Sequence, residues 1–156
     1  MKVLICSSLV LSVLLVLVTG QEPELDREAF WRSFFVNQTA EVCEGRAELC
    51  QANSARCLKL AESDKYKVKN EETAAEAKML FTECAKQLSI KADFSDVTLR
   101  TFEELFPLPG YGFDLLGMLL HYGVPQDKIS PMTACSGSYM LNDLKECLVS
   151  KDVNQA

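Results

Sequence analysis

The cysteines constrain this chain more than any other feature of its sequence. Seven occur among 156 residues, and three of them, Cys43, Cys50 and Cys57, follow one another at intervals of seven residues. Seven residues advance an α-helix by about 10.5 Å, whereas a disulfide needs Cα atoms roughly 4.4–6.8 Å apart. If one helix carries all three cysteines, each must pair with a cysteine later in the chain.

The first 20 residues indicate the compartment in which these thiols are oxidised. Lys2 precedes an apolar run over 4–18, and small residues at the −3 and −1 positions suit cleavage before Gln21. This pattern is typical of a secretory signal peptide, and the run is short for a membrane span of about 20 residues. We therefore expect residues 1–20 to be removed and the protein to be secreted and extracellular, without stable membrane insertion.

Cleavage removes Cys6 and leaves six cysteines, an even number that predicts three disulfides in an exported chain. An antiparallel hairpin of the second and third predicted helices brings Cys50 level with Cys84, so Cys50–Cys84 is the favoured bridge. Cys43 and Cys57 are then expected to pair with Cys135 and Cys147, in either order. Gly45 and Asn53-Ser54 are poor helix formers, and a break in the helix at either place would allow Cys43, Cys50 and Cys57 to pair with one another.

Hydrophobic periodicity and capping residues predict an all-α fold. The prediction is a disulfide-stapled bundle of about five to six helices, in which the helix carrying the three evenly spaced cysteines is cross-linked to later helices. Residues 21–150 are expected to form a single helical six-cysteine domain, and residues 151–156 a frayed tail.

Local signals place the individual helices. We expect helices over 26–36, over 39–61 with Thr39 as N-cap, and over 71–88 with Asn70 as N-cap. A short helix over 95–106 and another over 114–122 should follow. Gly123 is expected to end the latter helix.

Two further signals shape the C-terminal region. Ser130-Pro131 is expected to open the last region, with Pro131 at the first helical position, and Ser136-Gly137-Ser138 to break it. The five residues 65–69 alternate in polarity but are too short and too isolated to predict a strand, so we expect a loop.

The chain lacks the residues and motifs that several kinds of catalysis and metal binding require. His121 is the only histidine, so a mechanism that needs two is excluded, and no serine lies in a GxSxG motif. The chain has no CxxC motif and no phosphate-binding glycine loop. We therefore predict no catalytic residue, no metal, no cofactor and no enzymatic activity, and a structural role for His121 near the end of an apolar helix.

Charge and a sequon give two further expectations. Loss of Lys2 with the signal peptide changes the formal net charge from −6 to −7, which argues against nucleic acid as a partner. Asn37-Gln38-Thr39 is an N-glycosylation sequon, so Asn37 is a predicted glycosylation site and the protein a predicted acidic glycoprotein.

Two stretches are candidates for binding. Lysines at alternate positions over 65–69 reverse the sign of an acidic chain, and the stretch over 102–122 is apolar almost all round. An apolar helix of this length is typical of a core, although it also suits an apolar cavity or an exposed contact surface. The candidate contact residues are Lys65, Lys67, Lys69, Phe106, Tyr111 and Phe113.

These features favour a non-enzymatic extracellular interaction protein, of the signal, toxin or inhibitor type, that acts by binding another extracellular protein. The alternative is an extracellular carrier that holds a small apolar ligand or lipid in a helical cavity around residues 102–120.

Overall fold

A computed structural model describes residues 26–108 and 112–151 of the chain. The predicted signal peptide, most of the predicted frayed tail and Tyr111 lie outside these residues. By the density of its contacts the chain divides into two units, residues 1–31 and residues 32–156. In the first, Asp26 Oδ1 accepts a hydrogen bond from the backbone N–H of Ala29 at 3.0 Å, and the rings of Phe30 and Trp31 meet edge to face at 5.2 Å.

The described part of the chain contains six α-helices, which confirms the all-α prediction. They are α1 (Arg27–Cys43), α2 (Ala47–Leu58), α3 (Glu71–Gln87), α4 (Leu115–His121), α5 (Gln126–Ser136) and α6 (Ser138–Val149). Two 3₁₀ turns, Lys59–Glu62 and Asp64–Tyr66, follow α2, and a π-helical turn spans Thr101–Leu105. Pro107–Leu108 (β1) pairs antiparallel with Gly112–Phe113 (β2), a short hairpin that the sequence did not predict.

The packing order of the helices explains the core of the second unit. Helix α2 packs against α6, α3 against α5, and α4 against α5. The larger buried apolar side chains come from these helices and from the segment that joins α3 to α4: Phe81, Phe94, Phe102, Leu116, Met118, Leu119, Ile129, Met132, Leu141, Leu144 and Leu148. Helices α2 and α3 therefore each have a different partner, and the predicted antiparallel hairpin of these two helices does not supply the main contact of either.

The disulfides follow this packing and correct the predicted pairings. Three bridges join Cys43 to Cys50, Cys57 to Cys147 and Cys84 to Cys135. The favoured bridge Cys50–Cys84 is wrong, because α3 lies on α5 and places Cys84 beside Cys135 rather than beside α2. Cys57–Cys147 is one of the two pairings expected for Cys57, and it links α2 to α6.

The pairing of Cys43 with Cys50 has a local cause. The predicted single helix that carries all three cysteines is two helices, since α1 runs on to Cys43 and α2 begins at Ala47. Gly45 lies between them with a φ of 69°, in the left-handed region that ends helices. The turn brings the Cα atoms of Cys43 and Cys50 to 5.9 Å, whereas a continuous helix would hold them about 10.5 Å apart.

Three other helix boundaries differ from the predictions, and one is confirmed. Thr39 is not an N-cap but lies inside α1, where its hydroxyl donates to the Phe35 carbonyl at 2.8 Å. The predicted helix over 95–106 is reduced to the π-helical turn, and Pro131 lies inside α5 rather than at its first position. Capping of α3 by Asn70 is confirmed, because the side chain accepts from the backbone N–H of Thr73 at 2.9 Å.

Candidate functional site

The three lysines of the predicted contact loop are each held by a carboxylate. Lys65 Nζ lies 2.6 Å from Asp143 Oδ2 on α6, and Asp64 receives Lys67 Nζ at 3.1 Å and Lys69 Nζ at 3.2 Å. The side chains of Lys65 and Lys69 nevertheless remain 66% and 48% exposed. The loop therefore presents its ammonium groups at fixed positions rather than as freely moving chains.

The same contacts shift the pKa values of the groups involved. Hydrogen bonding from Lys67 and Lys69 lowers the pKa of Asp64, and hydrogen bonding from Lys65 and then Tyr66 lowers that of Asp143. The pKa of Lys65 is raised, chiefly by its hydrogen bond to Asp143, and burial is the main cause of a raised pKa at Tyr66. These directions keep Asp64, Asp143 and Lys65 charged and Tyr66 neutral at neutral pH.

The aromatic candidates lie in a different environment. Phe106 is half-buried with its ring 5.4 Å from that of His121, and half-buried Phe113 packs edge to face on the core residue Phe102 at 4.7 Å. Tyr111 lies outside the described residues. None of the ring contacts or ion pairs found within 26–108 and 112–151 joins these aromatics to the lysine loop.

The apolar stretch over 102–120 is chiefly core. Its largest inward side chains, Leu116, Met118 and Leu119, are at most 1% exposed. Leu105 and Leu120 face outward instead, with exposures of 60% and 42%. The side chains that the carrier hypothesis needs as a cavity lining are thus packed into the interior of the bundle.

An open depression does occur elsewhere, at the C-terminal end of α2. It has a volume of about 520 Å³ and is lined by Ala55, Arg56, Lys59, Leu60 and Ser63. The walls combine two cations and a hydroxyl with two apolar side chains. The sequence carries only a weak signal for this depression, because Lys59 lies six residues before the lysine loop while nothing local marks Arg56.

Asn53, at a position where the sequence allows a break in the helix, ties α2 to the end of α6. Asn53 is 7% exposed, and its Nδ2 donates to the carbonyl oxygens of Leu148 at 3.0 Å and Ser150 at 2.9 Å. Its Oδ1 accepts from Arg56 Nη2 at 3.4 Å. Asn53 therefore donates to backbone carbonyls at the end of α6, the part of a helix where carbonyls lack intrahelical donors, and it also contacts a wall of the depression.

The histidine and the sequon asparagine are both exposed to solvent. His121 is exposed at the end of α4, between the rings of Phe106 and Tyr122. Within 26–108 and 112–151, no three side chains of histidine, cysteine, aspartate or glutamate are grouped so that they could hold a metal ion. Asn37 is exposed on α1, where a glycan would project into solvent.

None of the described helices combines the length and the apolar character needed to cross a membrane. The chain matches no protein-family model, no curated protein and no solved structure.

Proposed function

We propose that this protein is a secreted, non-enzymatic binding protein that acts by docking on another extracellular protein. The supporting observation is the concentration of positive charge over residues 56–69 of a chain whose formal net charge is −6. Within that stretch, Glu62 and Asp64 stand against five cations: Arg56, Lys59, Lys65, Lys67 and Lys69. A positive patch on an otherwise acidic surface attracts an acidic partner.

The ion pairs of the loop add to this argument. Exposed salt bridges contribute little to stability, typically about 0–1 kcal/mol. Their effect here is on position, because Asp64 and Asp143 hold three ammonium groups that would otherwise lose side-chain entropy on binding. The loop is thus arranged for contact before a partner arrives.

The alternative function is an extracellular carrier of a small apolar ligand or lipid. One observation favours it: the depression of about 520 Å³ falls within the size range of small-molecule sites, about 300–1,000 Å³. Against it, the depression is open and partly cationic, and the apolar stretch over 102–120 is core.

Native mass spectrometry of protein purified gently from its natural source tests the two functions. The docking proposal expects a complex with a second protein, and the carrier expects a small apolar adduct. A protein partner found in this way should bind at least about tenfold more weakly to a variant with Lys65, Lys67 and Lys69 changed to glutamine, through loss of charge-assisted contacts.

The matched control changes three exposed lysines outside the loop, Lys86, Lys91 and Lys151, to glutamine. It alters net charge by the same amount, so it separates a local contact from a general electrostatic effect. Equal weakening by both variants, or none by the loop variant, contradicts a docking role for the loop.

A further inference from the structure

We propose that the depression at the end of α2 receives the carboxylate of an acidic side chain, flanked by an apolar residue, from the partner protein. This inference rests on the proposed docking function and identifies the chemistry that the partner must present. The occupant is a segment of protein rather than a free small molecule or a sulfated glycan.

The two cations of the depression share one face of the chain. Arg56 and Lys59 are three residues apart where α2 passes into the 3₁₀ turn Lys59–Glu62, and residues at this spacing are neighbours on a helix surface. The contact between Arg56 Nη2 and Asn53 Oδ1 orients the guanidinium, because Asn53 is itself anchored to α6. One wall of the depression is therefore linked to α6 by a partly buried hydrogen-bond network.

Lys59 differs from the lysines of the loop in having no anionic partner. Across 26–108 and 112–151, its side chain makes no hydrogen bond or ion pair, and Glu62, three residues on, does not pair with it. Ser63 Oγ accepts from the backbone N–H of Lys65 at 3.3 Å, and a hydroxyl that accepts can also donate its own proton. An entering carboxylate would thus meet an unpaired ammonium and a hydroxyl donor.

The shape of the depression favours a protein side chain over a free ligand. Small-molecule sites bury about 70–90% of the ligand surface, which an open depression cannot do. A side chain projecting from a docked protein needs no such enclosure, because the surrounding interface covers it. The apolar walls formed by Ala55 and Leu60 suit a hydrophobic residue next to the acidic one.

The charge pattern argues against a sulfated glycan. A long polyanion covers more of the surface than the depression, so it also meets carboxylates such as Asp64 and Asp143 beside the lysine loop. The net charge of −6 also repels a long polyanion, while a single carboxylate beside two cations experiences mainly the local field.

Titration of the ¹⁵N-labelled mature protein with a blocked peptide of alternating leucine and glutamate tests this inference by NMR. We expect saturable shifts of the backbone amides over 55–63. The same peptide with glutamine in place of glutamate should bind at least about tenfold more weakly, as should the acidic peptide to Lys59→Gln. Lys91→Gln, which removes an exposed lysine elsewhere, is the matched control and should change the dissociation constant less than about twofold.

Several results would overturn the inference. These are equal binding of the two peptides, binding that survives Lys59→Gln, and tighter binding of octanoate or of a heparin disaccharide at the same amides. Lys59 is exposed, so the variant should fold, and a circular dichroism spectrum checks this. If Lys59→Gln leaves partner binding intact while the loop variant abolishes it, the depression is excluded and the docking function stands. If the partner binds both variants normally, docking through this surface is wrong as well.

Discussion

Asn53 offers the sharpest test of how α2 and α6 are held together. Its Nδ2 donates to two carbonyls, Leu148 O and Ser150 O, and each such hydrogen bond contributes about 1 kcal/mol net. Substitution of Asn53 by alanine also leaves the Leu148 carbonyl without this donor in a buried setting, which costs about 1–3 kcal/mol. Because Ser150 is less buried and water can replace one bond, we expect a total loss of about 2–3 kcal/mol.

Urea unfolding with the disulfides intact measures this loss as a lower midpoint at unchanged slope. A loss of this size is a large part of the 5–15 kcal/mol typical of a folded domain. Asn53→Asp keeps the shape but turns a donor into an acceptor that faces two carbonyl oxygens, so it should destabilise at least as much as alanine.

The neighbouring Ser54→Ala is the control for this pair of variants. Its hydroxyl donates only locally, to the Gln51 carbonyl at 2.8 Å, so the change should stay within about 0.5 kcal/mol. If Asn53→Asp is as stable as the wild type, or Asn53→Ala costs no more than Ser54→Ala, the link between the two helices does not depend on these hydrogen bonds.

Three further predictions test the disulfides, the ion pairs and the turn between α1 and α2. Trypsin cuts after Arg46, so unreduced digests should yield peptide 33–46 bridged to peptide 47–56, and a bridge from 47–56 to 79–86 would contradict the structure. Hydrogen bonds from Lys65 and then Tyr66 hold the pKa of the Asp143 carboxyl below its ordinary 3.8. The stabilising effect of this carboxylate is therefore fully present above 3.8 and is lost as pH falls through the folded-state pKa. The urea midpoint should therefore fall on acidification below 3.8, less so in Asp143→Asn than in the wild type, and equal pH profiles would refute this. Gly45→Ala should lower the free energy of unfolding by about 1 kcal/mol because of its φ of 69° alone, since no atom lies within 4 Å of the added Cβ. Gly45→Asn should cost less, because asparagine tolerates the left-handed region better than alanine. Equal urea midpoints for the two variants would contradict this cause.

Three signals that act between residues close in sequence gave correct predictions, whereas the local signals at Thr39 and Pro131 did not. Asn70 caps α3 through the backbone N–H of Thr73, Gly123 follows α4 with a φ of 74°, and Gly137 separates α5 from α6. Each depends on a hydrogen bond or a backbone dihedral within one or two turns, so the residue types are enough to predict it. Gly45 is a poor helix former that the sequence marks as a possible break, and in the structure it separates α1 from α2 completely.

Contacts between residues far apart in sequence were not predicted. Asp143 lies 78 residues from Lys65, and no periodicity indicates that the two pair. The depression was missed because Arg56 becomes part of it only through Asn53, whose own partners are about 95 residues away. The lysines of the candidate surface were identified, but their ion pairs depend on how α6 lies against α2.

The sequence by itself determined an all-α chain, because apolar spacing and caps act locally, and it determined that disulfides cross-link the helices, because six cysteines remain after the predicted cleavage. Only the tertiary structure decided which cysteines meet. That outcome depends on Gly45 ending α1 and on α2 and α3 packing against different helices, α6 and α5. A disulfide requires Cα atoms within a few ångströms, so its partners are set by the packing of whole helices rather than by the spacing of cysteines along one of them.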